Sequence, residues 1–229
     1  MASYSSRPLR AILLRECQLA IQSPWVLIQP ILFSLMIISL FPLAVANQLE
    51  DWNSIAPAIL WMVLLITCLK STDGLYREDF EDGSLTLIFL SVNNHYFVQL
   101  LRVAIYWLMS GLLLALFSPL MLLMLNLPTR SCLEIAISFM LGSLSLIYLG
   151  AIGSALTLAI KQAGLLLMLI ILPLYVPILI LGTATVQQAV IEGERIWNYL
   201  SLMAAVSCLI VALAPLAINS ALKINIEAQ

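Results

Sequence analysis

Five of the six positions from Arg77 to Asp82 are charged, within the run Tyr76-Arg77-Glu78-Asp79-Phe80-Glu81-Asp82-Gly83-Ser84-Leu85 of a chain that is only 10% charged. Carboxylates clustered around an aromatic can grip a basic protein surface by charge while the apolar side chains fill a cleft. The run cannot lie in hydrocarbon, where each ionised side chain costs at least about 2.5–3.5 kcal/mol, so it faces water or another protein. Other chemistry is sparse. His95 is the only histidine and has no acidic or cysteine neighbour, which argues against a metal site or a triad. Cys17, Cys68, Cys132 and Cys208 stand singly, without a CxxC pair, and the three in or beside apolar stretches read as small buried hydrophobes. No GxxxxGK[ST] loop occurs, so the chain does not cradle nucleotide phosphates in that way. The residues point to a non-catalytic chain that binds no cofactor or metal directly and is gripped by a partner.

The elements that must position this run are membrane helices. Of 229 residues, 62% are hydrophobic, and the net charge of -2 offers no basic patch for nucleic acid. About 20 apolar residues cross a hydrocarbon core of about 30 Å. That measure gives six spans, near 25–46, 54–70, 102–125, 133–160, 163–185 and 199–220, in an all-α integral membrane protein. Ala44-Val45-Ala46 resembles a signal cleavage site, but the apolar run before it exceeds the ~7–15 residues of a signal core, so the first span is read as retained. Placing the N-terminus inside puts Arg7, Arg10, Arg15, Lys70, Arg77, Arg102, Lys161 and Lys223 on the cytoplasmic side and only Arg130 and Arg195 outside. Both termini and the charged run are then cytoplasmic, and Trp25, Trp52 and Trp197 fall at interfaces.

Residues 7–23 read as an amphipathic helix on the inner face, with Leu9, Ile12, Leu13, Cys17 and Ala20 on one side and Arg10, Arg15, Gln18 and Gln22 on the other. Glu16 falls on the apolar side, either snorkelling or pairing with a base such as Arg77 or Arg102. Segment 71–101 is not a span: it runs polar, acidic, apolar and polar again, and predicts a short helix starting near Ser84 that lies across the ends of the spans. Ser138, Gly142, Gly150 and Ser154 form a small-residue seam suited to close helix approach, and the fourth span is long enough to tilt or break near Gly150 and Gly153. Pro173 and Pro177, one turn apart, predict a kinked or locally unwound fifth span.

This plan is that of a permease driven by a separate ATPase. Such a subunit needs a rigid cytoplasmic projection that fits the ATPase and transmits its closure. Arg77, Glu78, Asp79, Phe80, Glu81, Asp82, Gly83, Ser84 and Leu85 are the candidates, with Phe80 and Leu85 as apolar anchors and the acids facing basic residues of the partner. A solvated loop whose acids merely oppose insertion is the other reading of the pattern. An ATP-independent secondary transporter is weakened because no Asp, Glu, Lys or Arg falls at the centre of a span.

The stretch Glu81-Asp82-Gly83-Ser84-Leu85, followed by Leu87-Ile88-Phe89-Leu90 and Leu100-Leu101-Arg102, resembles the intracellular motif of ABC-2-type export permeases, where an acidic approach leads into a coupling helix. Thr86, Val92 and Arg102 depart from the glutamate, proline and lysine common there. More narrowly, the chain resembles the cytochrome c maturation protein B family, the haem exporter B subunit. The matching stretches are Leu40-Phe41-Pro42-Leu43, Ile55-Ala56-Pro57-Ala58-Ile59-Leu60-Trp61, Asp79 through Leu85, Leu149 through Leu158, and Leu172-Pro173-Leu174 leading to Pro177. The resemblance implies a bacterial inner-membrane subunit working with an ATP-binding subunit, cytochrome c maturation protein A, which carries the ATP. It also implies a haem-handling subunit (protein C), a small subunit (protein D), a periplasmic haem chaperone (protein E) and two copies per complex. Haem would be handled or transported rather than held as a cofactor: there is no CxxCH, no histidine outside the cytoplasmic segment and no tryptophan-rich haem-handling stretch. An ABC-2 permease for a lipid or glycan shares the same plan and is separated only by these short matches.

Overall fold

Small residues decide which helix occupies the middle of this molecule. A computed structural model of the chain describes residues 24–45, 52–91, 94–128, 130, 132–158, 163–190 and 195–227. Among the described residues every regular element is an α-helix: α1 (Pro24–Val45), α2 (Trp52–Thr72), α3 (Arg77–Glu81), α4 (Ser84–Ser91), α5 (His95–Leu116), α6 (Ser118–Met124), α7 (Cys132–Leu156), α8 (Ala163–Val190) and α9 (Ile196–Glu227). α7 is the hub, packed against α2, α5, α8 and α9, while α1 lies outside on α2 and α5. Ser138, Gly142, Ser143, Ser145, Gly150, Gly153 and Ser154 of α7 are all buried, and their small side chains let four neighbours approach one axis.

By length and composition, five helical stretches can cross a membrane, beginning at Ser54, His95, Cys132, Leu169 and Ile196. α1 is the shorter apolar helix among the described residues. The amphipathic stretch 7–23, with Glu16, lies outside the described residues, as do Lys161 and Glu192.

Several boundaries differ from expectation. α5 starts at His95 rather than Arg102, because Asn94 caps it: the Asn94 side chain accepts from the Phe97 backbone N–H at 3.3 Å. The apolar stretch after Arg102 is two helices, since α5 ends at Phe117 and α6 restarts with Pro119 in its first turn, where a missing N–H is harmless. α7 runs unbroken through Gly150 and Gly153, and α8 stays α-helical through Pro173 and Pro177. The expected unwinding is therefore not seen. Both prolines sit on the exposed side of α8.

Several polar side chains inside the bundle find partners on the next helix, which suits a bilayer core that lacks water. Tyr148 of α7 donates to the Leu100 carbonyl of α5 at 2.7 Å, and Tyr175 of α8 donates to the Leu146 carbonyl of α7 at 2.7 Å. The Trp107 indole donates to Ser143 at 3.1 Å, and the Ser145 and Ser207 hydroxyls lie 2.8 Å apart between α7 and α9. Trp61 of α2 lies fully buried against Gly142 of α7 and Gly182 of α8, and Phe139 meets it edge-on with ring centres 5.6 Å apart.

Candidate docking and coupling hairpin

The charged run folds into a hairpin of two short helices between α2 and α5. Gly74 turns the chain out of α2 at φ +84°, and its carbonyl accepts from the Arg77 N–H at 2.9 Å. α3 follows for five residues. Gly83, at φ +75°, turns the chain again, and the Asp82 carboxylate accepts from the Ser84 N–H at 2.9 Å to open α4. This side chain to backbone bond two residues on is the local reason that a helix starts at Ser84. Nothing lies within 4 Å of where a Gly83 Cβ would be, so any cost of substitution there is backbone strain alone. Gly83→Ala is expected to lower stability by about 1–2 kcal/mol, read as a fall in thermal unfolding temperature in detergent. No change would show that the turn tolerates an L side chain.

The hairpin separates the acids that sequence treats alike. Asp79 points inward, only 7% exposed, and forms an ion pair with Arg102 of α5, itself 5% exposed. The other Asp79 oxygen accepts from the Ser84 hydroxyl at 2.9 Å. Arg102 also donates to the Leu75 carbonyl at 3.5 Å and sits 4.8 Å from the centre of the Tyr76 ring, a cation–π contact. The Tyr76 hydroxyl donates to Gln99 at 3.0 Å, so both ends of the tyrosine are tied to α5. Leu85 is 1% exposed and belongs to the protein's own core, and Phe80 packs against that core from its edge. Leu85 is thus turned away from any partner, and Asp79 is occupied internally.

What remains outside is a distinct face. Glu78, Glu81, Asp82 and Gly83 are exposed, and Leu87 and Leu90, one turn apart on α4, are 68% and 82% exposed. Arg77 pairs with Glu81 at 3.0 Å on the rim, a surface pair worth at most about 1 kcal/mol. The i, i+3 spacing of Leu87 and Leu90, opposite Leu85, is the sequence signal that places them outward. His95 stacks on Phe89 with ring centres 4.5 Å apart, closing the corner between α4 and α5. Among the described residues no three His, Cys, Asp or Glu side chains gather as metal ligands.

The seam residues lie elsewhere, inside the bundle. A Cβ on Gly142 would run into the Trp61 ring, and one on Gly150 would meet the Thr72 and Tyr175 hydroxyls. Ser138 is bonded to the Met203 sulfur at 3.8 Å, and Ser154 is buried. Sequence reading gave Tyr76 no role and did not single out Gln99. Arg102 was not paired with Asp79, although its place one turn above Gln99 and Val98 on the inward side of α5 marks it as a base in need of an acid.

Residues 7–225 match the family model for CcmB protein. The chain belongs to the CcmB protein family. Heme exporter protein B of Pseudomonas aeruginosa is 41% identical over 215 residues, covering 94% of this chain and 96% of that protein. The heme exporter protein B of Rhodobacter capsulatus is 38% identical over 219 residues, covering 96% and 100%. That of Escherichia coli K12 is 33% identical over 212 residues, covering 93% and 96%. The matched range takes in the whole hairpin.

Proposed function

We propose that this chain is the membrane subunit of an ATP-driven complex that serves haem export in c-type cytochrome maturation. Similarity to heme exporter protein B across nearly the whole of each relative carries this reading. The chain acts mechanically and hydrolyses nothing. A separate ATPase subunit, cytochrome c maturation protein A, docks on the outer face of the hairpin, with basic residues meeting Glu78, Glu81 and Asp82 and an apolar slot taking Leu87 and Leu90. Closure of two ATPase subunits, one on each of two copies of this chain, drives the spans. The haem-handling subunit (protein C) and small subunit (protein D) sit alongside, and the cycle releases the haem-loaded periplasmic chaperone.

Six spans in a bacterial inner membrane, with both termini cytoplasmic, fit this role. α1 has 22 residues, about 33 Å at 1.5 Å per residue, enough for a core of about 30 Å. Lys70, Arg77, Arg102 and Lys223 lie at the hairpin end of the bundle, and Arg130 and Arg195 at the other, which favours a cytoplasmic hairpin.

The test leaves the internal pair intact. A variant carrying Glu78→Gln, Glu81→Gln, Asp82→Asn, Leu87→Ser and Leu90→Ser is expected to retain less than about a tenth of the ATPase subunit on co-purification, since loss of a central apolar anchor and its charged rim exceeds about 1.4 kcal/mol. Undiminished association sinks the docking reading. Loss of c-type cytochromes on deletion, with normal envelope lipids, separates haem work from lipid or glycan export.

A further inference from the structure

Asp79 and Arg102 are both more than nine-tenths buried, and between them they join the hairpin to α5 away from water. The geometry around them is asymmetric. Along the chain α3 is flanked by two glycines at positive φ, Gly74 and Gly83, and neither has a neighbour within 4 Å of the Cβ position. Neither turn is braced by a side chain packed at its glycine. Across space α3 is held: Asp79 to Arg102, Tyr76 to both Gln99 and Arg102, and the Leu75 carbonyl to Arg102. The Ser84 hydroxyl bonds Asp79 as well, so the first residue of α4 is attached to the same pair. α5 in turn passes to the hub helix where Tyr148 reaches the Leu100 carbonyl, between Gln99 and Arg102.

We propose that Asp79 and Arg102 are positioning residues that lock α3 and the start of α4 onto α5, so that a push on the outer face of α4 is delivered to α5 and α7 instead of being lost at the two glycine turns. The inference rests on the docking reading above. It assigns a task to an acid that the outer face does not use. A buried ion pair is a poor source of stability, because an apolar pair of similar volume often serves as well. What an apolar pair lacks is direction: it would not fix Ser84 and the Leu75 carbonyl at set distances from one guanidinium.

That difference supplies the experiment. The double variant Asp79→Leu/Arg102→Met is introduced into the whole complex, purified with its ATPase subunit, and scored for ATP hydrolysis per complex and for c-type cytochrome formed per complex in cells. A structural role is met by the apolar pair, leaving both quantities at wild-type values. The positioning role predicts hydrolysis within about twofold of wild type and cytochrome formation lower by about tenfold or more, in the range of site-to-site coupling. An unchanged ratio of cytochrome to hydrolysis overturns the proposal. Should the double variant not assemble, Arg102→Lys keeps the charge but not the fork, and the same fall in ratio is expected; failure of both to assemble also overturns it, since the pair would then serve folding alone. The two readings fail separately. ATPase retained by the outer-face variant sinks docking, whereas a wild-type ratio in a complex that has kept its ATPase sinks positioning.

Discussion

Arg102→Ala is expected to lower the stability of the isolated chain by about 3–5 kcal/mol, the range for removing one member of a buried pair. The Asp79 carboxylate, 7% exposed, keeps the Ser84 hydroxyl at 2.9 Å but loses its guanidinium. A neutral hydroxyl does not replace a guanidinium beside a charge held away from water. The Tyr76 ring and the Leu75 carbonyl lose the same partner in one step. For a domain of this size about 1 kcal/mol moves the unfolding temperature by about 2–4 °C, so a drop on the order of 10 °C in detergent is the expected reading. Arg102→Ala combined with Asp79→Ala is expected to recover part of it, because no charge is then stranded. A single variant as stable as wild type would mean that water or another protein group compensates Asp79.

The second large effect is expected at the centre of the bundle. Trp61→Ala should destabilise by about 3–5 kcal/mol, as other buried tryptophan truncations do. Between membrane helices there is little hydrophobic drive, so the loss is one of van der Waals contact with Gly142, Gly182 and Phe139. The reverse change jams the same place. A methyl on Gly142 would lie 2.7 Å from Trp61 Cζ3 and 2.8 Å from Met203 Cε, closer than carbon atoms approach. The Met203 end can swing away, but the indole is a rigid plate bounded by two helices. Gly142→Ala should therefore cost about 1–3 kcal/mol. Trp61→Phe should relieve it, so that the double variant is more stable than Gly142→Ala alone. Purely additive losses would rule out a direct fit between ring and glycine.

Much of this architecture was legible because it rests on local signals. Apolar length marks the spans, and Gly83-Ser84 after an acid marks the start of α4. Other local signals were present and passed over. Asn94 belongs to a polar stretch that reads as loop, yet one asparagine oxygen suffices to start α5 seven residues before Arg102. Pro119 announces a restart, but within an unbroken apolar run it hides among leucines. At the prolines of α8 the helix continues, since on an exposed face a lost backbone bond need not unwind it. The division of labour among the acids was not legible at all. Glu78, Asp79 and Glu81 differ little as residues. Which of them turns inward is decided by Arg102, 23 positions away, and by the two glycine turns that aim α3. The partner of Trp61 is equally remote, for nothing near Gly182 in sequence announces a tryptophan from α2.

The Trp61 slot also has a history within each molecule. Ribosomes deliver α2 to the membrane before Gly142 exists, and Gly182 follows only with α8. Each helix enters the bilayer on its own apolar length, and the bundle forms afterwards. Until α8 is made the Trp61 slot lacks one wall, and the ring that fills it joins the second, seventh and eighth helices at one point.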